Sequence, residues 1–317
     1  MRMTLLILLA LTVGCRKDTI TELSSQHIEL PQKIRIHAIY AHASGGISIA
    51  GGVRLKQGWY GHSEDHGTSW SCVQLSNQSS IYCMAFANDS LGWLGGDSLK
   101  LWKKVPQSDW HFHWLGSQVP MHEADRPAVR DIVLVSDSAI RFVGGDYYTK
   151  GICYASNDAG STWNYSQSPS AQNRLYLLED EVLTCGYGSS MRYSLGSWHH
   201  VRTVADDLTG VVADATGKQW AASSRGRIYS KQKSDDEWTI SKATKQNDVM
   251  WLCAAQQGEI FAFGGSQGEI LISPDAGDSW HIFQLSAGVP IFSMAIHSNE
   301  IWCGSDGGSM EVAQIPF

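Results

Sequence analysis

The chain has 317 residues, 43% hydrophobic and 17% charged, which is enough apolar material for one large packed body and too little charge for a disordered one. A formal net charge of −7 with no basic stripe argues against a nucleic-acid partner. Its 31 glycines and 13 tryptophans suit an architecture of many tight turns and large packing side chains.

The chain opens on a targeting segment. Arg2 supplies a positive start, Leu5 to Leu11 form an apolar run, and Thr12-Val13-Gly14-Cys15 closes it. The run is too short to span a bilayer as a stable helix. It resembles the lipobox of bacterial lipoproteins, with Thr12 where that family usually has Leu. The resemblance implies removal of residues 1–14 and acylation of Cys15, leaving residues 15–25 as a lipidated tether. The expected localisation is the bacterial cell envelope: the outer membrane, its periplasmic side or the cell surface.

A strand is expected next at Gln26-His-Ile-Glu-Leu30, followed by repeats. Three segments align without gaps: Ser63-Glu-Asp65-His-Gly67-Thr-Ser-Trp70, Ser156-Asn-Asp158-Ala-Gly160-Ser-Thr-Trp163 and Ser273-Pro-Asp275-Ala-Gly277-Asp-Ser-Trp280. In each, Asp can accept backbone N–H groups of its own turn, Gly supplies a positive φ, and Trp can pack into the sheet core. Small-residue markers accompany them at Gly51-Gly52, Gly95-Gly96, Gly144-Gly145, Gly186, Ala221-Ala222, Gly264-Gly265 and Gly304. Their spacing of roughly 35 to 50 residues is that of a propeller. Trp110 or Trp114, Trp198 and Trp238 fill the gaps in the Trp series, giving seven units.

The seventh unit stops after one strand, 310–315, without a box. An open ring would leave an exposed sheet edge. The strand at Gln26 is therefore expected to pair into the seventh blade and close a single seven-bladed all-β propeller over residues 26–317. Six further cysteines, Cys72, Cys83, Cys153, Cys185, Cys253 and Cys303, are even in number. Several sit inside apolar strand patterns, where cysteine serves as a small buried hydrophobe rather than a disulfide partner.

These motifs resemble the bacterial neuraminidase, or Asp-box, repeat. Over residues 26–317 the pattern is similar to the photosystem II assembly factor propellers of the Ycf48 type, a group with many non-photosynthetic relatives. The resemblance implies that Asp65, Asp158 and Asp275, with Gly67, Gly160, Gly277, Trp70, Trp163 and Trp280, are structural and not catalytic. It carries no photosynthetic partner with it.

In a four-stranded blade the turn joining strands three and four lies opposite the blade-to-blade links. The boxes then mark the bottom, and the loops after the small-residue markers lie on top, where propellers commonly bind ligands. Candidate top-face residues are Arg54, His122, Glu123, Arg126, Arg130, Asp146, Tyr147, Tyr148, Arg225 and Asp306, joined by Asp97 and Asp125. Aromatic and arginine groups of this kind suit a protein or a glycan.

Catalytic readings fare worse. A sialidase needs an early Phe/Tyr-Arg-Ile-Pro motif, and Lys33-Ile-Arg35-Ile-His37 keeps only Arg-Ile. His111-Phe-His113 offers two imidazoles on one face, near His122-Glu123, but nothing fixes a third ligand; His199-His200 alternate faces. The acid pairs Asp206-Asp207 and Asp235-Asp236 point opposite ways in a strand and fall at linker and turn positions. No metal or cofactor is called for. The sequence reads as a monomeric, non-catalytic, lipid-anchored propeller that binds or organises an envelope protein. The alternative is a carbohydrate-binding or sialidase/glycosidase-like propeller at the cell surface.

Overall fold

A computed structural model describes residues 20–117, 127–146, 150–178, 181–201, 204–235, 237–243 and 249–317. The chain forms seven antiparallel sheets arranged as blades. The expected seven-bladed β-propeller is the fold observed. Blade one spans 35–76, two 81–114, three 128–168, four 172–201, five 208–243 and six 251–285. Blade seven takes three strands from 293–314 and its outermost from Ser25–Glu29.

That last strand pairs antiparallel with Ser309–Gln314, with Ser25 opposite Ala313 and Glu29 opposite Ser309. The ring is thus closed by the segment expected to close it, beginning one residue earlier. The preceding segment departs from expectation. Thr21–Leu23, inside the stretch read as tether, runs parallel to His281–Leu285 as a fifth strand on blade six. The reason is Leu23: only 6% exposed, it fills the seam between blades six and seven beside Phe283, Leu285 and Ile315. A polar-looking segment with one well-placed leucine can therefore be ordered by burial alone.

Each of the seven hydrophobic clusters lies in one seam between adjacent blades. The boxes sit in three of these seams. Gly67 lies against Trp302, Gly160 against Trp93 and Gly277 against Trp220, each Trp belonging to the second strand of the preceding blade. Those three tryptophans are almost wholly buried, at 1% exposure each. The box is thus a turn and also the lid on its neighbour's largest side chain. This inter-blade role has no counterpart in the local sequence pattern.

Within a box, Asp65 accepts the Ser69 N–H at 2.8 Å, the Ser69 hydroxyl at 2.6 Å and the Ser63 hydroxyl at 2.8 Å. The Gly67 N–H donates to Ser63 Oγ at 2.8 Å, and Trp70 Nε1–H to Gly67 O at 3.1 Å. Asp158 and Asp275 repeat the set. The hydrogen bonds from Ser69 and Thr162 pull the Asp65 and Asp158 carboxyls down to about 2. The residue between Asp and Gly is left-handed too: His66 has φ 53°, Ala159 56° and Ala276 54°. Trp70, Trp163 and Trp280 are half-buried: each packs against the core cluster of its seam while its indole N–H reaches back to the turn. Of the alternatives for blade two, Trp110 packs on Tyr60 and Phe86, whereas Trp114 is 39% exposed.

All six described cysteines carry free thiols, and all but Cys72 are buried.

Candidate functional site

Each inner strand starts at the top and runs down the channel wall. In six blades its pairing slips by one residue near that start: between Ile36 and Ala38, Ile81 and Cys83, Val129 and Asp131, Gln172 and Arg174, Leu208 and Gly210, and Trp251 and Cys253. Such a bulge re-aims one side chain. The skipped residues are His37, Tyr82, Arg130, Asn173, Thr209 and Leu252, and all six line one cavity of about 940 Å³. In blade seven Phe292 joins them, its N–H bonded to Gly304 O at 2.9 Å. A repeated backbone irregularity therefore builds the channel mouth. Below it a cavity of about 210 Å³ shares His37, Tyr82, Arg130 and Arg174 with the mouth.

The mouth is rich in cations: Lys33, Arg35, Arg54, Arg130 and Arg174, against Asp97, Asp207 and Asp306. Several of these charges are already engaged. Arg35 grips Asp306 with two hydrogen bonds, at 3.0 and 2.6 Å, and its guanidinium lies 4.0 Å from the Phe292 ring. Asp97 accepts the Ser80 N–H, the Leu55 N–H and the Tyr82 hydroxyl at 2.8–2.9 Å, which pins the blade-one loop to blade two. Arg174 donates to Asn173 O at 2.9 Å and faces the half-buried Asp131, whose carboxyl is pushed up by loss of hydration. Arg54 and Arg130 have no ion-pair partner among the described residues, and Arg130 Nε is buried with no hydrogen-bond acceptor.

Two groups there have displaced protonation. Burial, opposed in part by Ser224 and Asn173, lifts the Asp207 carboxyl to about 6; Asn173 Nδ2 donates to it at 2.9 Å. Loss of hydration, reinforced by Arg35, lowers His37 to about 3, so its imidazole is neutral. Beside Asp207, Asp206 is only 4% exposed and accepts the Tyr229 hydroxyl at 2.8 Å.

The residues expected on top are distributed as follows. Arg54, Arg130, Asp97 and Asp306 line the mouth. Arg225 lies beside it, its Nε 3.5 Å from Asp206, and is not part of the lining. Asp146 ends the second strand of blade three, but its side chain lies outside the described residues. Outside them too are Cys15, His122, Glu123, Asp125, Arg126, Tyr147 and Tyr148. The sequence missed Arg35, His37, Tyr82, Asn173, Arg174, Asp207 and Phe292 as mouth residues. In the sequence Arg35 and His37 stand only as a degraded sialidase motif, and Asp207 only as a linker acid.

A second polar cluster lies at the opposite end. Asp89 Oδ1 is 2.9 Å from His42 Nδ1, and His42 Nε2 is 2.8 Å from Ser48 Oγ. The order is that of a hydrolase triad, but Ser48 is fully buried, and its hydroxyl also meets Tyr60 and His62 at 2.9 and 3.0 Å. No substrate can reach that oxygen, so the array is an inter-blade tie. Of the histidines weighed as ligands, His111 bonds Ser108 and His113 packs on Trp93.

No protein-family model matches the chain. No curated protein matches it. Solved structures do. A structure described as YCF48 bound to D1 peptide is 15% identical with a TM-score of 0.69, covering 93% of this chain and 99% of that one. YCF48 from Cyanidioschyzon merolae is 12% identical with a TM-score of 0.68, covering 92% and 98%. Virginiamycin B lyase from Staphylococcus aureus is 12% identical with a TM-score of 0.72, covering 92% and 99%. The likeness is one of fold. These neighbours include a peptide-bound propeller and an enzyme, so fold leaves function open.

Proposed function

We propose that this chain is a lipid-anchored cell-envelope scaffold whose channel mouth docks an anionic segment of a partner protein. The observation that carries this reading is the pair Arg54 and Arg130, two guanidinium groups in a concave cavity of about 940 Å³ with no ion-pair partner among the described residues. Arginine presents several donors in a planar fork suited to carboxylates, and a buried orphan N–H gains most from a ligand that satisfies it. Tyr82, Tyr187 and Phe292 supply rings beside the cations, a combination common at the centre of protein interfaces. The peptide-bound neighbour makes a peptide ligand reasonable for such a ring. No step of catalysis is proposed.

A second reading, a carbohydrate ligand, draws on the same rings together with Asn173 and the protonatable Asp207. The two separate by assay. The protein and its Arg54→Gln/Arg130→Gln variant are titrated with a fluorescent Glu-rich octapeptide and screened on a glycan array. The scaffold reading expects salt-sensitive peptide binding that the double variant loses by at least tenfold. Glycan retention with no peptide binding would replace it with the carbohydrate reading.

A further inference from the structure

We infer that the neck of the channel, where the mouth narrows into the lower cavity, binds one compact oxyanion through Arg130, Arg174 and His37. This goes beyond the docking reading, with which it shares only Arg130. All three side chains line both cavities, whereas Arg54 lines only the upper one. The bulges of blades one and three re-aim His37 and Arg130 into this space. Arg174 follows the bulge residue of blade four, and its Nη1 lies 3.4 Å from Arg130 O. Its charge opposes the burial that pushes up the thiols of Cys83 on blade two and Cys253 on blade six. A guanidinium felt by strands of two other blades stands near the channel axis.

The donors gathered there lack acceptors. Arg130 Nε is buried with none. His37 packs its ring 4.8 Å from that of Tyr82, and no hydrogen-bond partner among the described residues reaches its nitrogens. Held neutral, it offers one N–H to an anion. Among the described residues the lower cavity's lining has one carboxylate, Asp131, whose oxygens already accept the Ile132 and Leu175 N–H groups at 3.0 and 2.7 Å. Two guanidinium charges thus face a confined space that holds one engaged carboxylate. Water can satisfy a donor there, but an anion also supplies the missing charge and a partner for the planar fork. The lower cavity, about 210 Å³, falls short of the roughly 300 Å³ at which pockets for larger organic ligands begin. The occupant is therefore small: a phosphate-type ion, or the carboxylate of a docked side chain.

The test titrates the full chain with inorganic phosphate by calorimetry at about pH 7.5 and constant chloride, beside Arg174→Gln, His37→Phe and, as a charge control at the bottom of blade two, Lys104→Gln. His37→Phe keeps a ring against Tyr82 and removes the N–H donor, so it reports on binding even where Arg174→Gln is destabilised; urea midpoints establish that each variant is folded. We expect one saturable site in the wild type and in Lys104→Gln, weakened at least tenfold by Arg174→Gln and about threefold by His37→Phe. No saturable phosphate binding, or binding that both neck variants retain, would overturn the site. Competition with the Glu-rich octapeptide separates the two sources: phosphate that displaces it supports a carboxylate of the docked segment as the occupant, and simultaneous binding supports a free ion. Phosphate binding without peptide binding would leave the neck site standing and remove the docking reading; peptide binding without phosphate binding would do the reverse.

Discussion

Replacing Gly277 with Ala isolates what the repeated turn does for the ring. Gly277 has φ +90°, where an L side chain costs about 1–2 kcal/mol. Its new Cβ would also stand 2.4 Å from Cε2 and Cζ2 of Trp220, which is 1% exposed and walled in by the seam between blades five and six. Overpacking of that kind costs about 1–3 kcal/mol. Gly258→Ala is the control: its φ is +57°, and nothing lies within 4 Å of the added Cβ. The expected losses are about 2–5 kcal/mol for Gly277→Ala and about 1–2 kcal/mol for Gly258→Ala. They are read from urea midpoints at unchanged slope. If the two variants unfold at the same urea concentration, the box is a turn only, and the seam argument fails.

Asp207→Asn tests the raised carboxyl. A folded value of about 6 against an ordinary 3.8 means that the contribution of Asp207 to stability falls as pH rises from about 4 to 6 and stays reduced above. The Asn variant loses that slope and is about 1–2 kcal/mol more stable than wild type at pH 7, allowing for partial solvent exposure. Ser48→Ala strips His42 Nε2 and the Tyr60 hydroxyl of their shared partner and costs about 2–4 kcal/mol in urea unfolding, with no loss of mouth binding. His42 and His62 are both depressed by burial, so their contribution to stability falls as pH drops below 6.5, opposite in sign to that of Asp207; in the Asp207→Asn background, where the opposing slope is gone, a flat acid limb would contradict the tie. Leu23→Ala costs about 2–4 kcal/mol and exposes residues 21–25 to protease before the rest of the ring opens.

The fold was legible because its signals are local and repeated. A Ser-x-Asp-x-Gly-x-(Ser/Thr)-Trp turn needs its own residues in fixed places, and three copies declare the period. The closing strand was legible by accounting, since a ring with one short blade must borrow a strand. Leu23 was not, because one apolar residue in a polar stretch gains meaning only from the seam it enters. The mouth was half legible. Arg54 and Asp306 lie on loops next to the small-residue markers, where a topological argument can find them. His37, Tyr82, Arg130, Asn173, Thr209 and Leu252 share nothing in residue type; what unites them is a backbone bulge, which leaves no compositional trace. Only Arg130 was found, and for its charge. Asp207 was discounted because strand alternation should separate it from Asp206, yet burial of Asp206 under Tyr229 leaves Asp207 free to face the mouth.

Docking at the mouth is most directly tested by site-specific photo-crosslinking in native membranes. A photoreactive amino acid is placed at Ser98, in the mouth, or at Gln257, at the bottom of blade six, with and without Arg54→Gln/Arg130→Gln. One discrete protein crosslinked from Ser98, absent from Gln257 and lost in the double variant, is the predicted result. The same crosslink surviving in the double variant, or appearing only from Gln257, would contradict it.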